Sequence, residues 1–288
     1  MRIAMIMVKH PPTRMSPIMP AVIRLLREWG AVVDVLEPDE SVTDLGQLSV
    51  RHDLYVLKSG TDLALSLAGA LHAQGATIVN PYPAAVACRD KVVATRVLQG
   101  AGVPVPRTWV TSRPSELASL LDEGPLVCKP ARGSQGRGVT VVRGEGDLAA
   151  LPDGTEEPWL VQRWYAPDGA DRKLYCIGDQ VFGVLRRFPA RTYAEKVGEP
   201  YPVPPELREI ALRCGAAFGL RLFGLDVVES AGRPYVVDFS SFPGFKGVLD
   251  AALRLADHLY ECARQAETAQ TKIFGGARLA VASGKGER

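Results

Sequence analysis

The chain has 288 residues, 47% of them hydrophobic, and a net charge of +2. This length and apolar content predict a well-packed globular protein of one large domain or two to three small ones. The near-balanced charge, without a polybasic run, argues against nucleic acid or a membrane surface as a partner. The five cysteines stand singly among apolar residues, and no apolar run reaches membrane-spanning length. This pattern predicts reduced thiols in a cytoplasmic protein.

Strand and helix patterns alternate through the first third of the chain. The predicted strands lie at 2–8, 31–36, 53–57 and 77–79, with helices at 18–29 and 62–74 between them. Strands separated by helices indicate a parallel sheet with helices on its faces. The first strand is followed by Lys9, His10 and two prolines rather than by a glycine-rich turn, which excludes a dinucleotide-binding Rossmann domain.

The remaining two thirds of the chain predict antiparallel sheet. The expected strands lie at 126–130, 138–143, 159–165, 173–178, 180–187, 222–229 and 234–240, with helices at 84–99, 205–218 and 248–265. Together these elements give an α/β protein divided into segments 1–84, 85–165, 166–266 and a flexible tail at 267–288.

Two aspartates face each other in the most informative stretch, residues 224–240. This stretch is typical of two strands joined by a glycine-containing turn, and Asp226 and Asp238 are equally far from Gly232. Ser240 shares the face of Asp238, because side chains alternate along a strand. Two close carboxylates and a hydroxyl favour a cation between them, and oxygen ligands suit Mg²⁺. The alternative is a surface hairpin with two solvated aspartates.

A lysine and a glycine-rich loop occupy the end of the strand predicted at 126–130. Lys129 precedes Gly133, Gly136 and Gly138. Such glycines let backbone N–H groups approach anionic oxygens, and the lysine supplies a point charge for phosphate. The order differs from that of a P-loop, in which the lysine follows the glycines. Taken alone, a segment of this kind is more often only a turn.

The order of these motifs resembles the ATP-grasp superfamily over roughly residues 1–262. The matching stretches are Arg89-Asp90-Lys91, Gly102-Val103-Pro104-Val105-Pro106, Lys129-Pro130 with the loop at 133–138, Leu160-Val161-Gln162, Asp226, and Asp238-Phe239-Ser240-Ser241-Phe242-Pro243-Gly244. Each piece is weak alone, but the ordered set is specific. The resemblance implies an ATP-grasp fold, in which 1–84 is an N-terminal parallel α/β domain, 85–165 a small lid subdomain and 166–266 the antiparallel-sheet catalytic subdomain.

The resemblance also implies a nucleotide site. By it, Lys91 and Lys129 contact the phosphates of ATP, the loop at 133–138 closes over them, and the strand at 161–165 supplies backbone groups to adenine. The implied ligands of Mg²⁺, or alternatively Mn²⁺, are Asp226, Asp238 and Ser240. The other implied nucleotide-binding residues are Ser134, Gln135, Gly136, Gly138, Gln162, Arg163, Trp164 and Tyr165.

Two positions depart from the family pattern. Ser240 stands where these enzymes usually carry a metal-binding asparagine, and the shorter serine reaches Mg²⁺ poorly or only through a water. Arg163 stands where a glutamate often follows the glutamine of the adenine strand. A catalytically degraded nucleotide-binding protein is therefore one alternative.

Two ATP-grasp subfamilies compete for the reaction. RimK-type ligases, which this chain resembles in order and size, activate a carboxylate as an acyl phosphate that an amine then attacks, releasing ADP and phosphate. Inositol polyphosphate kinases share the ending seen at 238–245 and the basic strand that begins at Lys173. We expect the ligase, acting on an amino acid or small acid, and the kinase stays open as the alternative.

Basic side chains predict an anionic substrate. Arg187, helped by Arg186, is expected to stabilise the acyl phosphate, and Lys173 is the third candidate catalytic residue. The expected partners are ATP and a small anion, without nucleic acid or membrane, and the resemblance adds self-association. A second cationic group, equally explained as ordinary loop residues, ends strands of the first sheet at Lys9, His10 and Lys58.

Overall fold

The computed structural model describes residues 1–9, 16–133, 136–187, 195 and 197–282, and the side chains of Arg187 and of residues 269–282 lie outside this description. The strands are β1 (Arg2–Ile6), β2 (Val32–Leu36), β3 (Leu54–Leu57), β4 (Ile78–Val79), β5 (Thr108–Thr111), β6 (Leu126–Pro130), β7 (Thr140–Val142), β8 (Trp159–Arg163), β9 (Ala170–Ile177), β10 (Gln180–Arg187), β11 (Glu199–Tyr201), β12 (Leu222–Ser230) and β13 (Arg233–Ser241). The helices are α1 (Ile18–Glu28), α2 (Asp62–Ala73), α3 (Tyr82–Arg89), α4 (Lys91–Gly100), α5 (Glu145–Ala149), α6 (Pro205–Phe218) and α7 (Ala251–Ala282). None of the described helices combines the length and the apolar character needed to cross a bilayer.

The first compact unit comprises Met1–Tyr82 and the segment from Asp250 onward. Its four strands form a parallel sheet in the order β2-β1-β3-β4. The central strands β1 and β3 are buried at every position except Arg2. The predicted parallel sheet is therefore confirmed, with the uninterrupted apolar strands that burial on both faces requires.

The C-terminal helix α7 belongs to this first unit, whereas the sequence groups 248–266 with the strands that precede it. It packs against α1, where Trp29 and Tyr260 meet edge to face with ring centroids 5.7 Å apart. The helix continues to Ala282, past the end predicted near Gln265. The added residues include several alanines and no proline, which favour a helix, and also Gly275 and Gly276, which disfavour one.

The second compact unit, Pro83–Leu249, contains two antiparallel sheets. The smaller sheet has the order β5-β8-β6-β7 and the larger one β11-β10-β9-β12-β13. One face of the larger sheet packs on α3, α4 and α6 through a core that includes Leu174, Leu225 and Phe239. Because strand side chains alternate, the opposite face carries the residues between them, and most of the charged candidates lie there.

The helix predicted over 84–99 is two helices, α3 and α4, which meet at Asp90. The Asp90 carboxylate caps α4 by accepting hydrogen bonds from the N–H groups of Val92, at 2.9 Å, and Val93, at 3.3 Å. Aspartate is favoured at such an N-cap because it satisfies donors that have no partner within the helix. Lys91 therefore stands at the first position of a new helix. The sequence also missed the short elements β5, α5 and β11.

Strand β13 contains one extra residue. Near the turn, Val227 pairs with Val236, so a regular ladder would pair Asp226 with Val237. The register shifts by one residue at this point and Asp226 pairs with Asp238 instead. The predicted pairing of the two aspartates is thus confirmed, but it arises from a bulge that symmetry about the turn did not reveal.

The bulge gives Val237 a separate role. Its neighbour Val236 lies in the core, Asp238 lies on the opposite face, and Val237 itself has no partner in the ladder. Its carbonyl oxygen accepts a hydrogen bond from Lys129 Nζ at 2.8 Å. The extra residue therefore anchors a lysine from the smaller sheet beside the aspartate pair.

Deleting Val237 is expected to leave a folded protein that binds an ATP analogue with Mg²⁺ at least about 10-fold more weakly. The deletion turns the hairpin into a regular ladder that still pairs Asp226 with Asp238, but Lys129 loses its carbonyl anchor. Thermal unfolding and titration calorimetry measure the two effects. Val237→Ala, which keeps the carbonyl, is the control and should bind as the wild type does. Unchanged binding after the deletion would show that the bulge has no part in holding the lysine.

Candidate active site

Four charged side chains from three neighbouring strands meet on one face of the larger sheet. Lys173 Nζ donates to Asp226 Oδ2 at 2.8 Å. Arg186 Nη2 donates both to Asp226 Oδ1, at 2.8 Å, and to Asp171 Oδ2, at 2.5 Å. The ladder explains these contacts, because Lys173 lies opposite Asp226 and Asp171 lies opposite Arg186. We call these four residues the charge cluster.

Burial and mutual attraction act against each other in the charge cluster. Burial opposes the charge of Lys173, but the carboxylates of Asp226 and Asp238 outweigh it and raise the pKa of the lysine. For Arg186, burial is likewise outweighed by Asp226 and Asp171, which raise its pKa. Burial, followed by the charge of Asp226, raises the pKa of Asp171. The cations therefore stay charged, while the carboxylates crowd one another.

Asp238 adds a second carboxylate beside Asp226. Burial, followed by repulsion from Asp226, raises the pKa of Asp238, although Lys173, Lys91 and Lys129 act in the opposite direction. The charge of Asp238 is thus incompletely compensated by the protein. An incompletely neutralised buried carboxylate is a natural place for an added cation.

Lys129 is fixed by two acceptors. Its Nζ donates to Gln162 Oε1 at 2.8 Å, besides the bond to the carbonyl of Val237. Gln162 in turn donates through Nε2 to Thr108 Oγ1 at 3.4 Å, which assigns its amide oxygen to the lysine. Burial is the main cause that lowers the pKa of Lys129. Gln162, which the sequence assigns to nucleotide binding, therefore also positions a lysine.

Lys91 connects the start of α4 to the glycine-rich loop. Its backbone N–H donates to the carbonyl of Ala131 at 2.9 Å, and its Nζ donates to the carbonyl of Gly133. Gly138 (φ +72°) comes so close to Pro130 that a Cβ there would lie 2.8 Å from the proline Cγ. Glycine is therefore required at that position.

Two members of the loop predicted to bind nucleotide, Ser134 and Gln135, lie outside the described residues. Gly136, with φ +71°, is described and has the left-handed conformation that favours glycine. The part of the loop assigned to the ATP phosphates is therefore described only at its two ends.

The side chain of Arg163 serves the smaller sheet. It donates to the carbonyls of Gly124 and Leu120, the latter at 3.0 Å, and its guanidinium lies 5.4 Å from the ring centroid of Trp109. Its own N–H donates to the carbonyl of Arg107 at 2.9 Å. These bonds satisfy carbonyls at the end of a 3₁₀ segment. The arginine that replaces the glutamate usual in the family therefore has a structural role.

The residues after β8 present aromatic surfaces. The N–H of Trp164 donates to the carbonyl of Pro125 at 3.0 Å, and Arg143 lies over its ring at 5.7 Å from the centroid. Tyr165 stacks on Tyr235 with ring centroids 4.3 Å apart. The N–H groups of Arg163 and Trp164 are therefore used within the protein, and the aromatic rings after them are the features suited to a base.

The remaining predicted site residues separate by position. Ser240 lies opposite Gly224, and its hydroxyl donates to the carbonyl of that glycine at 3.3 Å. The backbone of position 187 pairs with Ala170, and the side chain of Arg187 lies outside the described residues. In the first unit, Lys9 forms an ion pair with Glu40 at 3.1 Å. Burial lowers the pKa of Lys58 to about 8. His10 lies outside the described residues.

Sequence reasoning did not assign a site role to Asp171. It stands two residues before Lys173 on β9, so strand alternation places both on one face. That signal was available, but the pairing of Asp171 with Arg186 depends on the register between β9 and β10. A register is not fixed by either strand alone.

The donor set fits a magnesium ion that a nucleotide shares. Among the described residues, no three histidines, cysteines, aspartates or glutamates are grouped so as to hold a metal alone. Mg²⁺ characteristically takes one or two carboxylates and completes its shell with phosphate oxygens and waters. Asp226 and Asp238 meet that requirement. Because both oxygens of Asp226 already accept hydrogen bonds from cations, a metal at that carboxylate would compete with those cations for its charge.

A parallel α/β unit and a second unit of two antiparallel sheets that carries lysines and facing aspartates are the features of ATP-grasp ligases. Residues 88–262 match the RimK-like ATP-grasp domain, and the chain belongs to that family. It is accordingly an ATP-dependent carboxylate–amine ligase that uses a divalent metal ion.

Similar proteins agree with this assignment. A probable alpha-L-glutamate ligase of Shewanella loihica is 25% identical over 246 residues, covering 80% of this chain and 82% of the relative. One from Stenotrophomonas maltophilia strain R551-3 is 30% identical over 204 residues, covering 64% and 70%.

Solved structures show the same fold. The D-cycloserine synthetase DcsG has a TM-score of 0.71 at 19% identity, covering 91% of this chain and 99% of its own. A RimK domain ATP-grasp protein from Sphaerobacter thermophilus has a TM-score of 0.71 at 21% identity, covering 90% and 99%. The ATP-grasp ligase PsnB, complexed with a minimal precursor, Mg and ADP, has a TM-score of 0.68 at 19% identity, covering 91% and 97%.

Asp238→Asn is expected to stabilise the free protein at neutral pH. The native pKa of Asp238 is raised, so the native state retains this proton to a higher pH than the unfolded chain, and ionisation costs native stability. The gain in the free energy of unfolding from asparagine is therefore absent below about pH 3.9, the pKa of aspartate in the unfolded chain. It grows as the pH rises through the native pKa and is complete above it. Thermal unfolding between about pH 4 and pH 8 measures it, at roughly 2–4 °C for each kcal/mol.

Asp226→Asn is the matched control for this prediction. It removes the same charge from the same hairpin but takes the shared acceptor away from Lys173 and Arg186. Breaking a buried pair costs about 3–5 kcal/mol, and partial exposure of these groups reduces this to roughly 2 kcal/mol. The two variants should therefore shift the unfolding temperature in opposite directions. Shifts of the same sign would contradict the electrostatic description of the site.

Proposed function

We propose that this ligase joins the carboxylate of a small acid to an amine through an acyl phosphate, at the charge cluster and the lysines beside it. The observation that supports this most is the convergence of cations and carboxylates on one face of the larger sheet. A carboxylate oxygen attacks the γ-phosphorus of ATP, and the bond from that phosphorus to the bridging oxygen breaks to leave ADP. The amine then attacks the acyl carbon, the carbon–oxygen bond to phosphate breaks, and the amine loses a proton.

Lys129 and Lys91 are assigned to the phosphates of ATP. Both are held by backbone or amide oxygens, which fixes the positions of their charges before the nucleotide arrives. Preorganised charge of this kind stabilises phosphoryl transfer, because little protein rearrangement is needed as charge develops. Asp226 and Asp238 would hold Mg²⁺, which would supply positive charge to offset that of the phosphates.

Arg186 is assigned to the acyl phosphate, the role that the sequence gave first to Arg187. Arg186 belongs to the charge cluster, and the side chain of Arg187 lies outside the described residues. Lys173 adds a second cation beside it. Guanidinium and ammonium groups at this place favour an anionic acid and the phosphate transferred to it.

The aromatic residues after β8 are assigned to adenine. Trp164 and Tyr165 offer apolar rings next to a strand end, and the stack of Tyr165 on Tyr235 holds one ring in place. Arg163 is left out of this group, because its guanidinium donates to the carbonyls of Gly124 and Leu120.

An acidic amino acid is the substrate class we propose, with L-glutamate the first compound to test. Relatives are named probable alpha-L-glutamate ligases, and a second carboxylate on the substrate would suit the cations of the site.

The reaction is tested by measuring free phosphate and ADP with ATP, Mg²⁺ and a set of acids and amines that includes L-glutamate. Phosphate release should require both an acid and an amine, because only the amine discharges the acyl phosphate. Lys129→Met is the control, expected to lower release at least about 100-fold by removing a phosphate contact. Transfer of phosphate to a polyol, with no free phosphate, would favour the kinase and contradict the ligase assignment.

Ser240→Asn tests whether the missing asparagine weakens the enzyme. We expect turnover to change by less than about threefold, because Mg²⁺ bound to nucleotide needs only one or two protein carboxylates. The same assay measures it, with Asp238→Asn as the inactive reference. A gain of more than about tenfold would instead indicate a degraded metal site.

A further inference from the structure

We infer that Asp171 is a positioning residue that keeps Arg186 directed into the site when Asp226 turns to the metal and the nucleotide. This inference rests on the proposed function of the same site. Asp171 touches neither nucleotide nor substrate in this assignment and acts only through Arg186.

The need for such a residue follows from the double use of Asp226. In the structure, one oxygen of Asp226 accepts from Lys173 and the other from Arg186, both at 2.8 Å. A metal ion at Asp226 competes with these bonds. If Arg186 had no second acceptor, losing Asp226 would free a long side chain to adopt many rotamers.

Asp171 supplies that second acceptor from a fixed position. It lies directly opposite Arg186 in the antiparallel ladder of β9 and β10, and the two form an ion pair at 2.5 Å. Both side chains are 19% exposed. Charge-assisted hydrogen bonds between partly buried groups hold a guanidinium far better than exposed ones do.

Arg186 retains an unused donor. Its Nε is buried, and within the described residues no acceptor meets it. A buried donor without a partner is costly, so its presence at a site favours a ligand oxygen as the missing acceptor. With Nη2 bonded to Asp171, the Nε–H is a donor available to a phosphate, beside the guanidinium N–H groups that Asp171 does not occupy.

The same sheet contains a matched ion pair outside the site. Arg172, the residue after Asp171, pairs with Glu229 at 2.7 Å, and the two side chains are 18% and 26% exposed. Alternation puts Arg172 on the opposite face from Asp171. Losing the Glu229 carboxylate therefore removes a pair of similar burial from the same sheet without reaching the charge cluster.

The test measures the binding of inorganic phosphate to the enzyme saturated with Mg²⁺ and ADP, by titration calorimetry. For Asp171→Asn we expect phosphate affinity to fall about 10- to 100-fold, as supporting residues of a site typically do, while the affinity for Mg–ADP stays within about threefold. In turnover assays, kcat should fall by a similar factor while the KM for ATP is unchanged. Asp171→Glu, which keeps the charge, should recover part of both losses.

Glu229→Gln is the control and should leave phosphate affinity, kcat and KM unchanged. Equal losses in Glu229→Gln and Asp171→Asn would overturn the inference, as would undiminished phosphate binding by Asp171→Asn. If Asp171→Asn does not fold, Asp171→Ser takes its place, and thermal unfolding of each variant identifies the folded ones.

The wild-type protein separates this inference from the proposed function. Failure of the wild type to bind Mg–ADP, or to release phosphate with any acid and amine, counts against the proposed function. If the wild type binds Mg–ADP but not phosphate, Arg186 does not provide a phosphate site. That result overturns this inference but not the proposed function.

Discussion

The alternation of side chains across the larger sheet is the constraint on which the rest of the second unit depends. A strand can serve a core and a polar site together only if its register keeps apolar residues on one face and charged residues on the other. In β13 this requirement is met around Val237, where one residue leaves the ladder. Val236 and Phe239 reach the core, and Asp238 stays opposite Asp226.

The same bulge connects the two antiparallel sheets. A residue outside the ladder has a carbonyl available for another partner, and Lys129 of β6 takes it. The lysine is thereby held near the aspartates by a hydrogen bond to a backbone carbonyl rather than by an ion pair that would neutralise its charge. Bulges are frequent beside active sites because they redirect single groups without disturbing the sheet around them.

Electrostatic balance explains why the site is compatible with a folded protein. Buried carboxylates close to one another are unfavourable unless cations accompany them. Arg186 and Lys173 supply this compensation at Asp226, whereas Asp238 retains a raised pKa. In the free protein, part of the repulsion between the two carboxylates is therefore uncompensated, and a metal ion would relieve it. Functional sites are commonly destabilised in this way.

Much of the architecture could be predicted from the sequence, because its signals are local. The parallel sheet follows from apolar strands between helical segments, and the helix at Pro205–Phe218 has clear periodicity and a proline at its start. The helix boundary at Asp90 was missed because the same residues fit one continuous helix, and only the capping bonds distinguish the two. The three residues of β11, Glu199–Tyr201, show no apolar alternation, whereas a short strand such as β3 is marked by continuous apolar residues.

The site residues were harder to predict, since their contacts depend on register between strands. The facing aspartates were found from distances along the chain to the turn, although a regular two-residue turn would have paired Asp226 with Val237. The contact of Asp171 with Arg186 could not be recognised without the pairing of β9 with β10. The bonds of the Arg163 side chain could not be predicted from its strand, because its carbonyl partners lie some forty residues away in sequence.

The cations bonded to Asp226 connect the binding of nucleotide with the binding of the acid. In the free protein this carboxylate holds Lys173 and Arg186, so the cations that suit an acyl phosphate are partly neutralised. If Asp226 holds a metal ion together with the nucleotide, as proposed, the metal would compete for the same oxygens and leave these cations with less compensation. Their attraction for the anionic acid would then increase, because Coulomb interactions in a partly buried site are weakly screened. By this reasoning, the carboxylate of Asp226 couples the binding of ATP to the binding of the acid that ATP phosphorylates.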